Sequence, residues 1–520
     1  MRIRIVGAGA MGRGIAQWAA TAGHTVELCD VRTEAVTAAV DFVRSMLERA
    51  VQKGRMSAED CTAALERLVP LDDPWAQGPD VELVIEAVRE DLGTKAEVFG
   101  RLEQALPASA VFATNTSSLS VTRIAAALKD PTRLAGLHFF NPVPLMKIVE
   151  IVPGAATRPE IPPTLTALVE GCGHRAVTVA DTPGFLVNHA GRGLVTEALA
   201  LLEEAVADPA DIDRIARDVL GLRMGPFELM DLTGLDVTAA VIDSIWEGFR
   251  YADRLRPSYL TPNRVAAGLH GRKTGRGWFA YGPEASSPAP EPLVAGDADR
   301  PVFVHAAAAR DGDAAALTAA LTAAGAVIET GPEPSADALV LVPVWGTTVA
   351  SAVAGHRLPA GRAFGVDPLP PAGRRRVLAV TPAADPAAAR DARAVLARAA
   401  DGAGPYAVSV VRDTAGSVAQ RLLASIVSVG ASIAERSLAA PADIDLAVTA
   451  GLGHPVGPLA WGDRVGAERM LELHRALHRT TGDPRHRPSR WVTERAQLGL
   501  ALTDPGTSPA DCTAAGAASS

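Results

Sequence analysis

Short runs of Val, Ile and Leu alternate with helically spaced apolar residues through the first part of the chain. Arg2–Val6 is a β-rich run, Gly14–Ala22 is an amphipathic helix, and Thr25–Cys29 is a second strand. Val81–Val88 then reads as buried strand, Glu90–Ala105 as helix, and Val111–Ala113 and Leu134–Phe140 as further strands. Strands spaced by helices predict a parallel, doubly wound sheet with ligands beyond the carboxyl ends of its strands. Asn141-Pro142-Val143-Pro144 interrupts the pattern as a turn that brings Lys147–Val152 back antiparallel.

A Pro/Ala/Ser-rich linker occupies residues 283–300, and the α/β pattern then restarts. Strands are expected at Val302–His305, Ala338–Val344 and Val377–Val380, with helices at Ala314–Ala324, near 348–355 and at Ala387–Ala400. Beyond it the chain repeats itself. Asp181-Thr182-Pro183-Gly184 matches Asp413-Thr414-Ala415-Gly416, Pro209-Ala-Asp-Ile-Asp213 matches Pro441-Ala-Asp-Ile-Asp445, and Gly225-Pro226 with Asp231 matches Gly457-Pro458 with Asp463. Every pair is separated by 232 residues, so one segment is duplicated without a gap.

Gly7-Ala8-Gly9-Ala10-Met11-Gly12 lies between the first strand and the first helix, and Asp30 ends the second strand. That context makes the turn a dinucleotide site: Gly7 allows the tight turn, Gly9 lets backbone approach a pyrophosphate, and Gly12 lets helix pack on strand. Phosphates would meet the helix N-terminus, and Asp30 would accept from ribose hydroxyls and repel a 2′-phosphate, favouring NAD. Arg32 nearby could partly rescue NADP. The restarted α/β segment has only Asp311-Gly312-Asp313 after its first strand, whose carboxylates would repel a pyrophosphate. No dinucleotide is expected there.

Three polar groups fall at the strand ends of the first sheet: Glu86 with Glu90, Asn115 with Ser117, and His138 with Asn141. A histidine on an apolar strand is commonly structural. Here the returning strand carries Glu150, and a buried carboxylate needs a partner. An imidazole that turns one N–H toward Glu150 keeps its other nitrogen as a base, beside a nicotinamide, to take an alcohol's proton while hydride leaves carbon.

The chain of 520 residues exceeds one hydrophobic core, so several domains are expected. It is 48% apolar and 21% charged with a net charge of −9 and no basic run, which argues against nucleic acid. Gly, Pro or charge interrupts the apolar stretches short of a membrane span. The opening strand leaves no room for a signal peptide, and Cys29, Cys61, Cys172 and Cys512 lie far apart without metal-like spacing. A cytoplasmic protein without a metal site is expected.

These residues resemble the L-3-hydroxyacyl-CoA dehydrogenases. The resemblance rests on GAGAMG at 7–12, EAVRED at 86–91, NTSSLS at 115–120, HFFNPVP at 138–144, the Glu150 strand, DTPGFLVN at 181–188, MGPFELMDLTGLD at 224–236 and KTGRGWFAY at 273–281. It implies that His138 is the base and Glu150 its partner, with Ser117 and Asn188 holding the substrate. It implies that Asn115 and Asn141 line the cleft, that Gly7, Gly9, Ala10, Met11, Gly12, Asp30, Glu90, Lys95 and Lys273 contact NAD, and that a helix through Arg49, Lys53 and Arg55 meets CoA phosphates. An exposed, solvated helix face remains an equal reading of those cations.

The fold class implied is an α/β Rossmann domain with a doubly wound sheet (1–180), an all-α domain (181–282), the linker (283–300), a reduced Rossmann-like α/β domain (301–404), a second copy of the all-α domain (405–501) and a disordered tail (502–520). In the copy Gln420 replaces Asn188 and Ala415 replaces Pro183, so its role reads as structural. Single-copy relatives pair through the helical domain, so either a homodimer or an intrachain pseudo-dimer is expected. The activity implied is reversible NAD-dependent oxidation of an (S)-3-hydroxyacyl-CoA, 3-hydroxybutyryl or 3-hydroxyadipyl, in fatty-acid or phenylacetate-type catabolism. A dehydrogenase of a free hydroxy acid and a cofactor-binding protein without catalysis stay open as alternatives.

Overall fold

A computed structural model describes residues 1–282, 291, 294–306, 312–400, 402 and 404–513. Most of the linker and the extreme C-terminus therefore lie outside the described residues, as does Asp311. The chain forms two compact units: Met1–His189 with Ser437–Leu452, and Ala190–Arg436 with Gly453–Ser520.

The first unit is built on an eight-stranded sheet of β1 (Arg2–Val6), β2 (Thr25–Cys29), β3 (Leu68–Leu71), β4 (Leu83–Glu86), β5 (Val111–Thr114), β6 (Leu134–Phe139), β7 (Ile148–Pro153) and β8 (Arg175–Thr178), in the order β3-β2-β1-β4-β5-β6-β7-β8. The first six strands are parallel and β7 returns antiparallel to β6, as the proline turn demands; β8 then runs parallel to β7. The sheet is thus mixed rather than wholly parallel. Strands β4 and β6 are buried along their whole length, which explains their apolar composition apart from Glu86 and His138. Arg4, in the middle of β1, is 1% exposed and survives there because Glu27 on β2 receives its guanidinium at 2.8 Å.

The helix expected from Gly14 begins earlier, at Ala10, directly on the glycine turn. Thr33–Gln52 and Ala58–Glu66 form a helical hairpin, the second helix capped by Ser57, whose hydroxyl accepts from the Asp60 amide at 3.0 Å. Helix Pro441–Leu452, from the repeated segment, also belongs to this unit, where the Ala180 amide donates to the Leu438 carbonyl at 2.9 Å.

The second unit holds a smaller sheet of β9 (Val302–Val304), β10 (Ile328–Glu329), β11 (Leu339–Pro343), β12 (Ala363–Val366), β13 (Arg375–Val380) and β14 (Ala407–Arg412), ordered β10-β9-β11-β12-β13-β14. It ends as the first sheet does: β13 is antiparallel to β12 and parallel to β14. Helix Arg192–Glu203 packs on Ser417–Glu435 so closely that a Cβ on Gly193 would lie 2.8 Å from the Ser425 carbonyl oxygen. Gly193 and Ser425 are one repeat apart, so the two copies meet at equivalent positions. Ser417–Glu435 is the one helix among the described residues long and apolar enough to cross a membrane, a length not expected from sequence, but it is almost wholly buried inside the protein. It is a core helix.

Order also runs further than expected at the C-terminus. Leu502 is fully buried, and its amide donates to Asp463 Oδ1 at 2.5 Å, so Leu502 and Thr503 are tied to helix Pro458–Val465 by the repeated aspartate. The small polar composition there hid a single anchoring leucine.

Candidate active site

The glycine turn is shaped by contacts that exclude side chains. Gly7 has φ +107°, its amide donates to Cys29 O at 2.8 Å, and a Cβ on Gly12 would lie 1.7 Å from the Gly7 oxygen. Gly9 differs: an added Cβ would meet nothing within 4 Å. Its space is open, and no side chain caps the helix Ala10–Thr21 that follows. Open backbone over an uncapped N-terminus fits a dinucleotide pyrophosphate. Asp30 accepts from the Ala8 amide at 2.9 Å and from the Arg32 amide at 3.0 Å, one on each oxygen. It braces the turn, and each oxygen retains a lone pair for a ribose hydroxyl.

At the ends of β4 and β5 the acids divide their work. Glu86 is fully buried and accepts from Lys95 Nζ, the Val88 amide and Thr114 Oγ1, each at 2.7 Å. Glu90 accepts from Thr116 Oγ1 at 2.6 Å and from the Ser117 and Ser118 amides at 2.8 and 2.9 Å. Burial alone would raise its carboxyl, but the Thr116 hydroxyl, the Lys95 ammonium and the serine donors prevail and hold it at about 2. Lys95, expected to touch NAD, is 1% exposed and lies between Glu86 and Glu90, 3.3 Å from the latter. It stands behind the site and braces Glu90, which in turn shapes the loop presenting Ser117. A lone lysine on a helix carries no sequence signal for such burial. Ser117 is exposed, and Asn115 ties β5 to β6 by accepting from the Phe139 amide at 2.8 Å.

His138 and Glu150 face each other across the β6–β7 ladder. His138 is 5% exposed and Glu150 fully buried, with Nδ1 and Oε2 2.5 Å apart. Glu150 Oε1 accepts from the Leu186 and Val187 amides at 2.9 and 2.7 Å. The DTPGFLVN turn therefore closes on Glu150 and places Asn188 one residue further on, half-buried in the short helix Val187–Ala190. The turn is itself pinned by Asp181, which accepts from the Val121 and Thr122 amides at 3.0 and 2.7 Å. The sequence marks Asp181 only as part of a motif and of the repeat; the amides it accepts from, and the two amides on Glu150, carry no local signal. Asn141 is exposed in the turn beyond His138.

Arg49, Lys53 and Arg55 are exposed on the helical hairpin and have no ion-pair partner among the described residues. Lys273 lies in the second unit, with its ammonium 2.6 Å from Asp236 Oδ2.

The second sheet carries no such pair. By its strand register, Asp367 and Val377 take the places of His138 and Glu150. Gln420 spends its amide internally, donating to Val344 O at 2.9 Å and Asp367 Oδ1 at 3.0 Å and accepting from the Gly346 amide at 2.9 Å.

Comparisons with known proteins point to one family. Residues 2–182 match the 3-hydroxyacyl-CoA dehydrogenase NAD binding domain, and the C-terminal domain of the same family matches twice, over 184–281 and 416–506. The chain is 35% identical over 496 residues to the 3-hydroxyadipyl-CoA dehydrogenase of Escherichia coli (strain K12), covering 95% of this chain and 97% of that protein. It is 37% identical over 280 residues to a probable 3-hydroxybutyryl-CoA dehydrogenase of Bacillus subtilis (strain 168), covering 54% of this chain and 97% of that one. The crystal structure of a 3-hydroxybutyryl-CoA dehydrogenase from Escherichia coli K12 superposes with a TM-score of 0.83 at 33% identity, over 96% of this chain and 98% of that one. With a dinucleotide turn, a buried imidazole–carboxylate pair and a twice-matched helical domain, this chain belongs to the 3-hydroxyacyl-CoA dehydrogenase family of NAD-dependent oxidoreductases.

Proposed function

We propose that this chain interconverts a short-chain (S)-3-hydroxyacyl-CoA, 3-hydroxybutyryl or 3-hydroxyadipyl, and its 3-ketoacyl-CoA, with His138 as the acid–base group. The observation that carries the reading is the buried 2.5 Å contact between His138 Nδ1 and Glu150 Oε2. With its Nδ1 proton directed to the carboxylate, the imidazole offers Nε2 as the base for the 3-hydroxyl. Positive charge that develops on the ring lies against a carboxylate whose other oxygen two backbone amides already fix. Little reorganisation is then needed as the proton moves. Gly7, Gly9, Ala10, Met11, Gly12 and Asp30 would hold NAD, which when bound supplies the acceptor for the hydride from C3.

Ser117 and Asn188 are assigned to the substrate's oxygen, and Asn115 and Asn141 to the cleft lining. Arg49 and Lys53, exposed and without ion-pair partners among the described residues, suit CoA phosphates, and Lys273 is assigned to the cofactor. We further infer a four-part chain in which the second helical copy takes the place of a partner subunit, working in the cytoplasm in fatty-acid or aromatic-acid breakdown.

The test is NADH consumption with acetoacetyl-CoA, a longer 3-ketoacyl-CoA and 3-ketoadipyl-CoA. Turnover is expected only with CoA thioesters. His138→Ala is expected to lower kcat by about 10²–10⁴-fold while NAD affinity holds. Turnover with free hydroxy acids, or a fully active His138→Ala, would remove the assignment.

A further inference from the structure

Two aromatic rings touch the His138 imidazole. Phe140 lies 4.5 Å from it between ring centroids, and Phe185 lies 5.7 Å away, edge-on at 61°. Phe185 is 2% exposed and has φ +47°, a left-handed backbone that side-chain-bearing residues rarely adopt. Strain of this kind beside a catalytic pair invites a functional explanation, and the duplicated segment supplies an internal control.

One repeat later, Gly416 and Ser417 have φ +71° and +46°, against +72° and +47° at Gly184 and Phe185. Both turns start from an aspartate that caps a helix: Asp181 takes the Val121 and Thr122 amides, and Asp413 takes the Val349 and Ala350 amides at 2.8 and 2.9 Å. The strained backbone therefore belongs to the turn and needs no aromatic side chain. What the second copy lacks is the chemistry: Asp367 and Val377 replace His138 and Glu150, and the ring at position 185 has become a serine. Within one chain, the ring accompanies the imidazole–carboxylate pair.

One hydrogen bond fixes Nδ1 but leaves the ring free to tilt about that contact. The edge contact with Phe185 and the tilted contact with Phe140 restrict that tilt, and misorientation of a reacting group is costly even over short displacements. We propose that Phe185 is a positioning residue for the dehydrogenase reaction: its ring holds the His138 imidazole at the angle from which Nε2 reaches the substrate hydroxyl. This rests on His138 being the base.

The experiment compares Phe185→Leu and Phe185→Ser in the full chain. Leucine keeps apolar bulk without a flat ring, and Ser417 shows that this turn accepts a serine. Phe185→Leu should lower kcat about tenfold and Phe185→Ser about 10²-fold, with the KM for acyl-CoA and the affinity for NAD each within about threefold of the parent. In a His138→Ala background neither change should lower kcat further. A Phe185→Leu enzyme with parental kcat would overturn the proposal, as would losses shared equally by kcat, KM and NAD affinity. A fully active His138→Ala would instead overturn the base assignment itself, so the two failures can be told apart.

Discussion

Glu150 accepts from three donors, and two of them are backbone amides that cannot be rearranged. In Glu150→Gln the amide oxygen must stay with Leu186 and Val187, which turns the new NH₂ toward His138 Nδ1. That nitrogen then becomes an acceptor, and the imidazole proton moves to Nε2, where the base is needed. The variant should fold and bind NAD but lose about 10²–10⁴-fold in kcat, measured as reduction of acetoacetyl-CoA. Glu90 gives a second prediction at this scale. Its carboxyl sits at about 2 in the folded chain, below its ordinary value of 4.5, so its contribution is present above pH 4.5 and fades as pH falls toward 2. Its side chain is 33% exposed, so solvent screening reduces the effect to about 1–2 kcal/mol. Glu90→Gln should lower the melting temperature at pH 7 and narrow its difference from the parent at pH 3.

The glycine turn separates packing from binding within one element. A methyl group at Gly12 collides with the Gly7 carbonyl, whereas at Gly9 it meets only open space. Gly12→Ala should therefore destabilise the first unit in a urea titration, and Gly9→Ala should keep its stability while weakening NAD binding by about tenfold or more, read by fluorescence titration. These elements were legible in the sequence because their signals are local. The turn glycines, Asp30, and the His138–Glu150 pairing across a proline turn each follow from a few consecutive residues. Contacts set by distant segments were not legible. No local pattern shows that Glu86 and Glu90 close around Lys95, and Leu502 passed for tail because its partner, Asp463, lies in a preceding helix. Strands β3, β8, β10, β12 and β14 were likewise missed; each is short and takes its place from its neighbours in the sheet.

At the scale of the molecule, the duplication is written into reciprocal hydrogen bonds. The Ala180 amide donates to Leu438 O in the first unit, and the Arg412 amide donates to Val206 O in the second, both at 2.9 Å. Acceptors and donors are each one repeat apart, the signature of an isologous interface between two copies. The contact is nevertheless asymmetric in charge. Arg421, fully buried, reaches Glu197 at 2.6 Å and Glu204 at 2.8 Å, while the residues one repeat away from these three are His189, Val429 and Arg436. The reverse pair cannot form, so the ion cluster favours unlike copies meeting. Helix Arg192–Glu203 has every residue from Arg192 to Leu201 buried, and much of that cover comes from Ser417–Glu435. A chain ending near residue 290 would lose this cover along the face that carries Gly193 and Glu197, where Leu194 and Leu201 are helical neighbours of Glu197, and would leave Glu197 without Arg421. Such a patch on a helix seeks a second copy of itself or aggregates. The truncated chain should therefore be dimeric or insoluble by light scattering, and Arg421→Met should destabilise the full chain in urea unfolding by less than the about 3–5 kcal/mol of a buried charge left wholly unpaired, because Glu197 keeps Arg485 at 3.5 Å and His486 at 3.3 Å. A truncated chain that is monomeric, soluble and fully active would show that the second copy does not stand in for a subunit.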